Sequence, residues 1–168
     1  TNEIRVNIIK FMNNSIILPD EIKEDILFFL DKYTKENCNN FCVIKLDSDF
    51  PKLRKYQDLD IVTSDIQNFK NNIFQFFSSN QYSISISKDT NNQIHFDLKY
   101  SNEFIFRFDV YFNKYESKYF ILKKNFYKDL LDSSEIFKLE FNKKYFEFHV
   151  PNLEYELLIR VLELKKFP

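Results

Sequence analysis

Asp47-Ser48-Asp49-Phe50-Pro51-Lys52-Leu53-Arg54-Lys55-Tyr56-Gln57-Asp58-Leu59-Asp60-Ile61-Val62 divides into two unlike halves. The stretch from Asp47 to Gln57 is polar, basic and interrupted by Pro51, which predicts a loop. Asp58 to Thr63 then reads as a strand. Residues two apart on a strand point to one side, so Asp58 and Asp60 project together while Leu59 and Ile61 face the other way. Asp60 sits within the apolar run Leu59-Ile61-Val62, where an unpaired charge is costly unless a cation or a donor satisfies it.

Working outward, Phe41 to Leu46 is a short apolar run after an asparagine cluster, the pattern of a buried strand. Before it, Ile22, Ile26, Leu27, Leu30 and Tyr33 recur at helical spacing from Pro19 to about Lys35, with Asp20 and Glu21 near the positive end of the dipole. After the acidic strand, Ser64 and Gln67 have the spacing of a capping box opening a helix through about Phe77. The period then changes to two. Tyr82, Ile84 and Ile86 alternate with serines; Ile94, Phe96 and Leu98 alternate with His95, Asp97 and Lys99; Phe104, Phe106, Phe108, Val110 and Phe112 continue the alternation. With turns at Asp89 to Asn92 and Tyr100 to Glu103, this predicts a meander of three antiparallel strands. A short run from Tyr119 to Leu122, a helix around Tyr127 to Leu131 and a hairpin of Phe137 to Phe141 with Tyr145 to Val150 follow. Pro151 stops the last strand, and Leu153, Leu157, Leu158, Val161 and Leu162 predict a closing helix.

The expected class is therefore α/β (α+β), a mixed central sheet with flanking helices and an antiparallel meander extension. A chain of 168 residues, 44% of them hydrophobic, suffices for one core, and no repeat or linker marks a boundary, so residues 1–168 read as a single domain. The abrupt end at Phe167–Pro168, straight after a helix, leaves open that this is a fragment of something longer.

Composition narrows the function classes. With 24 basic and 25 acidic residues the formal net charge is -1, so no global positive field draws the chain to nucleic acid or an anionic membrane. The 21 phenylalanines fall mostly at core periodicity, which argues against a base-stacking surface; nucleic acid is not an expected partner. The stretch Thr1 to Leu18 is broken by Asn7, Lys10, Asn13 and Asn14, so it fits neither a secretory signal nor a membrane span, and a cytoplasmic location without a membrane partner is the expectation. Cys38, Cys42, His95 and His149 lack the spacing of a zinc site, and both cysteines read as ordinary thiols. His149 reads as strand packing. There is no glycine, where average usage would give roughly 12, which weighs against phosphate loops of the Walker or dinucleotide type. Turns that need positive φ must use asparagine or aspartate, and Asn39–Asn40, Asn71–Asn72 and Asn91–Asn92 are the expected places.

The quoted segment resembles the nucleotidyltransferase superfamily, that of the DNA polymerase beta-like fold: a Gly-Ser pair near the end of one strand, a loop of about ten residues, an Asp-x-Asp on the next strand, and a third carboxylate on a later one. The Gly-Ser spacing falls on Asp47–Ser48, the Asp-x-Asp on Asp58 and Asp60, and the third carboxylate on Asp109 in Phe106-Arg107-Phe108-Asp109-Val110-Tyr111-Phe112. The resemblance covers roughly residues 20 to 112 and implies Asp58, Asp60 and Asp109 as metal ligands and catalytic groups, with Asp109 as base or shared ligand. It also implies that Ser48 contacts a triphosphate. Lys52, Arg54 and Lys55 lie on the same loop, where basic side chains offset phosphate charge. Aspartate at position 47, where the family has glycine, is a departure that adds negative charge near the expected phosphates.

Physical chemistry points the same way. Paired carboxylates repel, and a hard cation such as Mg²⁺ or Mn²⁺ removes that repulsion while keeping substrate phosphates in its shell. Two such ions can activate an attacking hydroxyl and stabilise departing pyrophosphate. The expected activity is transfer of a nucleoside monophosphate from a nucleoside triphosphate such as ATP to a hydroxyl or phosphate of a small molecule or protein. The alternatives are a catalytically inactive nucleotidyltransferase-fold binding module and a LicD-like phosphotransferase; an additional domain or partner chain also stays open. At residue level, Asp97 is the rival third carboxylate, otherwise a solvated neighbour of His95 and Lys99, and an ion pair with Arg107 or a cross-strand contact is the alternative role for Asp109.

Overall fold

The computed structural model describes residues 16–37, 40–79, 81–114, 116–117, 120–121 and 125–164. The readings of the stretch before residue 16, of Cys38 and Asn39, of the chain end, and of Tyr119 and Leu122 lie outside these. In chain order the elements are α1 (Asp20–Asn37), β1 (Phe41–Ile44), β2 (Asp58–Thr63), α2 (Ile66–Phe76), β3 (Tyr82–Asp89), β4 (Gln93–Tyr100), β5 (Glu103–Tyr111), the short pair β6 (Glu116–Ser117) and β7 (Phe120–Ile121), α3 (Phe126–Asp132), β8 (Glu135–Phe141), β9 (Lys144–Val150) and α4 (Leu153–Leu164). The class is α+β: a five-stranded mixed sheet in the order β1-β2-β5-β4-β3, flanked by helices, with β8 and β9 as a separate hairpin. β5 closes the meander and then runs parallel to β2, so the late strand is inserted beside the early one.

Alternation sorts the sheet into two faces. Val43, Leu59, Ile61, Phe96, Leu98, Phe106, Phe108 and Val110 are buried on one side against Ile22, Ile26, Phe29, Leu30 and Tyr33 of α1 and Phe69 and Ile73 of α2. Aromatic rings lock this layer: Phe29 lies 5.7 Å from Phe108 and 5.7 Å from Phe69, centroid to centroid, in edge-to-face geometry. Each buried ring of this kind contributes about 1.5–3 kcal/mol of transfer free energy. The β8–β9 hairpin closes the same core through Phe146 and Phe148, and the amide of Glu147 donates to Asp31 of α1 at 2.9 Å. The opposite face carries Cys42, Ile44, Val62 and Tyr111, which pack with Phe126, Tyr127, Leu130 and Leu131 of α3 and Ile159 of α4.

Several local expectations shift. β1 ends at Ile44 rather than Leu46, because Lys45 adopts a left-handed φ of 54° that turns the chain out of the strand. The cap of α2 is Asp65, whose side chain accepts from the amide of Asn68 at 3.0 Å, while the Ser64 hydroxyl is directed at Asn40. Of the expected asparagine turns, Asn71 and Asn72 lie inside α2 and neither Asn91 nor Asn92 has positive φ; Asn102, Asn113 and Asn142 take that role, alongside Lys45, Tyr56, Ser101 and Lys143. In α4 it is Ile159 and Leu162 that are buried, whereas Leu153, Leu157, Leu158 and Val161 are exposed. Asp97 is buried, at 9% exposure, rather than solvated. Among the described residues no helix is long and apolar enough to cross a membrane.

Candidate functional site

The parallel pairing of β2 with β5 sets Asp60 directly opposite Asp109 and Asp58 opposite Arg107. On the other side of β5, His95 of β4 is opposite Asp109 and Asp97 is opposite Arg107. Register partners share a face, so the three carboxylates named from sequence lie on the face that α3 and α4 pack against, opposite the aromatic core. No local rule requires this: it depends on β5 lying beside β2.

Each carboxylate is held differently. Asp109, at 7% exposure, accepts hydrogen bonds from Gln93 Nε2 at 2.8 and 3.0 Å and from the Tyr111 hydroxyl at 2.9 Å, with His95 Nε2 at 3.4 Å. Of the two alternatives for Asp109, the cross-strand contact forms, with Gln93 of β4, and the ion pair with Arg107 does not; the guanidinium instead grips Asp97 through Nε at 2.6 Å and Nη2 at 3.3 Å. Asp97 is thereby engaged as an ion-pair partner.

Asp60 meets Lys45, whose Nζ lies 2.5 Å from Asp60 Oδ2 and 2.8 Å from Glu163 Oε1 of α4. Asp58 is exposed at the start of β2.

Burial dominates the electrostatics of this face. Burial pushes the Asp60 carboxyl up to about 6; Lys45 pulls it down, and Asp109 and Glu163 push it up. Partial withdrawal of its carboxyl from solvent also raises Asp58, although the residue is exposed overall, opposed by Arg107 and reinforced by Asp109. Burial works against the Lys45 charge, yet Asp60 and Glu163 outweigh it and hold the ammonium above the ordinary lysine range. His95 is lowered, chiefly by burial and against the pull of Asp109, so it favours the neutral imidazole. Burial and the Asp60 and Asp109 charges raise Tyr111, which keeps its proton to donate.

The basic loop is arranged otherwise. Arg54 pairs with Asp49, and Lys55 pairs with Glu103 at 2.6 Å. Asp47 accepts from Gln57 Nε2 at 2.7 Å. The glycine-like backbone after β1 is at Lys45, not at Asp47. Sequence reading missed Lys45, Gln93, Tyr111 and Glu163 as site residues. The alternation that placed Asp109 also puts Tyr111 on its face, but Glu163 is 118 positions from Lys45 and carries no local signal.

Among the described residues no group of three or more His, Cys, Asp or Glu side chains is gathered as a metal-holding cluster. The oxygens of Asp60 and Asp109 are instead spent on Lys45, Gln93 and Tyr111. The cysteine of β1, Cys42, is buried and free, with its thiol raised by burial.

No model of a known protein family matches the chain, and no curated protein matches it. Among solved structures it is similar to the crystal structure of JHP933 from Helicobacter pylori, with a TM-score of 0.50 at 9% sequence identity over 88% of this chain. The chain spans 58% of the length of that structure. At this identity the likeness is one of fold.

Proposed function

We propose that the chain is a metal-dependent nucleotidyltransferase that moves a nucleoside monophosphate from a nucleoside triphosphate to a hydroxyl or phosphate of a small molecule or protein. The observation that carries the reading is the register of Asp60 against Asp109 on parallel neighbours, with Asp58 on the same face. The donor set suits a hard divalent cation, since carboxylate oxygens are what Mg²⁺ and Mn²⁺ take. Burial raises the carboxyls of Asp58 and Asp60 even with Arg107 and Lys45 nearby, and a bound cation would lower them.

In this reading Asp58, Asp60 and Asp109 would hold the ions, which would supply Lewis-acid polarisation of the α-phosphate and activation of the attacking hydroxyl. Gln93 and Tyr111 fix the rotamer of Asp109, so its carboxylate is presented without an ordering cost at the moment of reaction. Arg107, steadied by Asp97, lies opposite Asp58 and offsets phosphate charge at that end. Ser48, Lys52, Arg54 and Lys55 are proposed as triphosphate contacts, which requires Arg54 and Lys55 to exchange Asp49 and Glu103 for phosphate.

The test is pyrophosphate release from each common nucleoside triphosphate with Mg²⁺ or Mn²⁺, together with calorimetric binding of the Mn²⁺ nucleotide. Asp60→Asn and Asp109→Asn should each lower turnover at least ~100-fold, the scale of losing one preorganised electrostatic group. An unchanged rate in Asp60→Asn would refute the assignment. A second reading, an inactive binding module of the same fold, is favoured by the Lys45 contact with Asp60, and binding of neither metal nor nucleotide would select it.

A further inference from the structure

The closing helix α4 is apolar on two sides. Ile159 and Leu162 are buried, while Leu153, Leu157, Val161 and Leu164, at i, i+4, i+8 and i+11, form a second stripe that is between 48% and 74% exposed. Leu158 beside it is exposed as well. The Leu153 end of the stripe borders a groove of roughly 370 Å³ lined by Val43, Leu46, Phe137, Val150 and Leu157. Contiguous apolar surface of this kind marks a place that something covers.

We propose that residues 1–15 of this same chain lie along the exposed stripe of α4 and cover it. The inference stands apart from the metal-site reading. Three observations select this occupant. Ile4, Ile8 and Phe11, at i, i+4 and i+7 with Met12 beside them, give the segment one apolar side of matching period. The segment also ends near α4. The carbonyl of Ile16 accepts from the Lys55 amide at 2.8 Å, Gln57 two positions on donates to Asp47 at 2.7 Å, and the carbonyl of Leu46 accepts from Arg160 of α4 at 2.9 Å. Twelve residues of α4 make a stripe about 18 Å long, which fifteen residues span in helical as well as in extended form. Charge agrees with this pairing: α4 carries Glu154, Glu156 and Glu163 against Arg160, and the segment carries Arg5 and Lys10 against Glu3. A second copy of the chain fits less well, because α4 laid on α4 would bring two acidic helices together. The exposed apolar residues of one helix also fall short of the roughly 20–30 residues a side of a stable interface. A tethered segment escapes that requirement, since it binds at the effective concentration set by its own chain.

Nuclear Overhauser contacts in the unaltered chain, with the methyls of isoleucine, leucine and valine labelled, test the docking. Contacts should join Ile4 or Ile8 to Leu157, Val161 or Leu164; their absence overturns the proposal. In urea melts, Ile8→Ser and Val161→Ser should each lower the midpoint by about 0.5 M, and the double substitution by clearly less than the sum, because the two side chains share one contact. No loss from Ile8→Ser, or losses that simply add, would overturn it as well. A dimeric chain whose α4 methyls contact those of a differently labelled copy, and not Ile4 or Ile8, would assign the stripe to a second copy and overturn the proposal. The contact measurement needs no substitution, so it decides the matter even where the variants do not fold.

Discussion

Replacing Asp60 with asparagine should change the pH dependence of stability in a calculable way. The carboxyl is pushed from 3.8 to about 6 in the folded protein, mainly by burial. A tenfold change in proton affinity is worth about 1.4 kcal/mol, so ionised Asp60 costs the metal-free fold at most about 3 kcal/mol. The sign follows from linkage. The folded pKa lies above the unfolded one, so the stabilisation from holding the proton is fully present below about pH 3.8 and is lost as pH rises through about 6. Asparagine cannot titrate. The stability of Asp60→Asn relative to wild type should therefore rise by up to about 3 kcal/mol across that window, and level off above it. With a urea slope of about 2 kcal/mol per molar, the difference in midpoint moves by about 1.5 M. Urea melts of both proteins at half-unit pH steps, in chelator, read this directly, and subtracting one from the other removes the carboxylates that do not interact with Asp60. A difference that stays flat with pH would refute the reasoning, showing that Lys45 fully compensates Asp60.

Arg107→Ala should destabilise the protein by about 3 kcal/mol in the same urea assay, because it strands the buried Asp97 carboxylate without its partner; a loss under about 1 kcal/mol would mean that solvent reaches Asp97. Asp65→Ala should cost about 1 kcal/mol and Ser64→Ala a few tenths, since the capping bond to Asn68 belongs to Asp65; the reverse order would restore Ser64 as the cap.

The expectations that held are those set by period. The helical spacing of Ile22, Ile26, Leu30 and Tyr33 marks α1, and the two-residue alternation through Phe96 and Phe108 marks the meander, because a buried stripe forces the apolar pattern whatever the element packs against. Boundary errors cluster where side-chain competition decides. Ser64 and Asp65 are both good caps, and only the backbone path chooses between them. The spacing of Leu153, Leu157 and Leu158 marked the closing helix α4 but not its covered side, where Ile159 and Leu162 are the buried residues.

At the site, sequence alone determined that Asp58 and Asp60 share a face and that Asp109 faces away from the phenylalanines, because the pleat of a strand fixes side-chain direction within a few residues. Only the tertiary structure decided that β5 lies parallel beside β2, which brings Asp109 opposite Asp60 and gives Arg107 to Asp97. It likewise decided that Lys45 and Glu163 meet at Asp60. Strand order and register are set by the burial of the whole sheet, and the contact of a strand-end lysine with a helix far along the chain follows from that packing, so neither leaves a trace in the local pattern of residues.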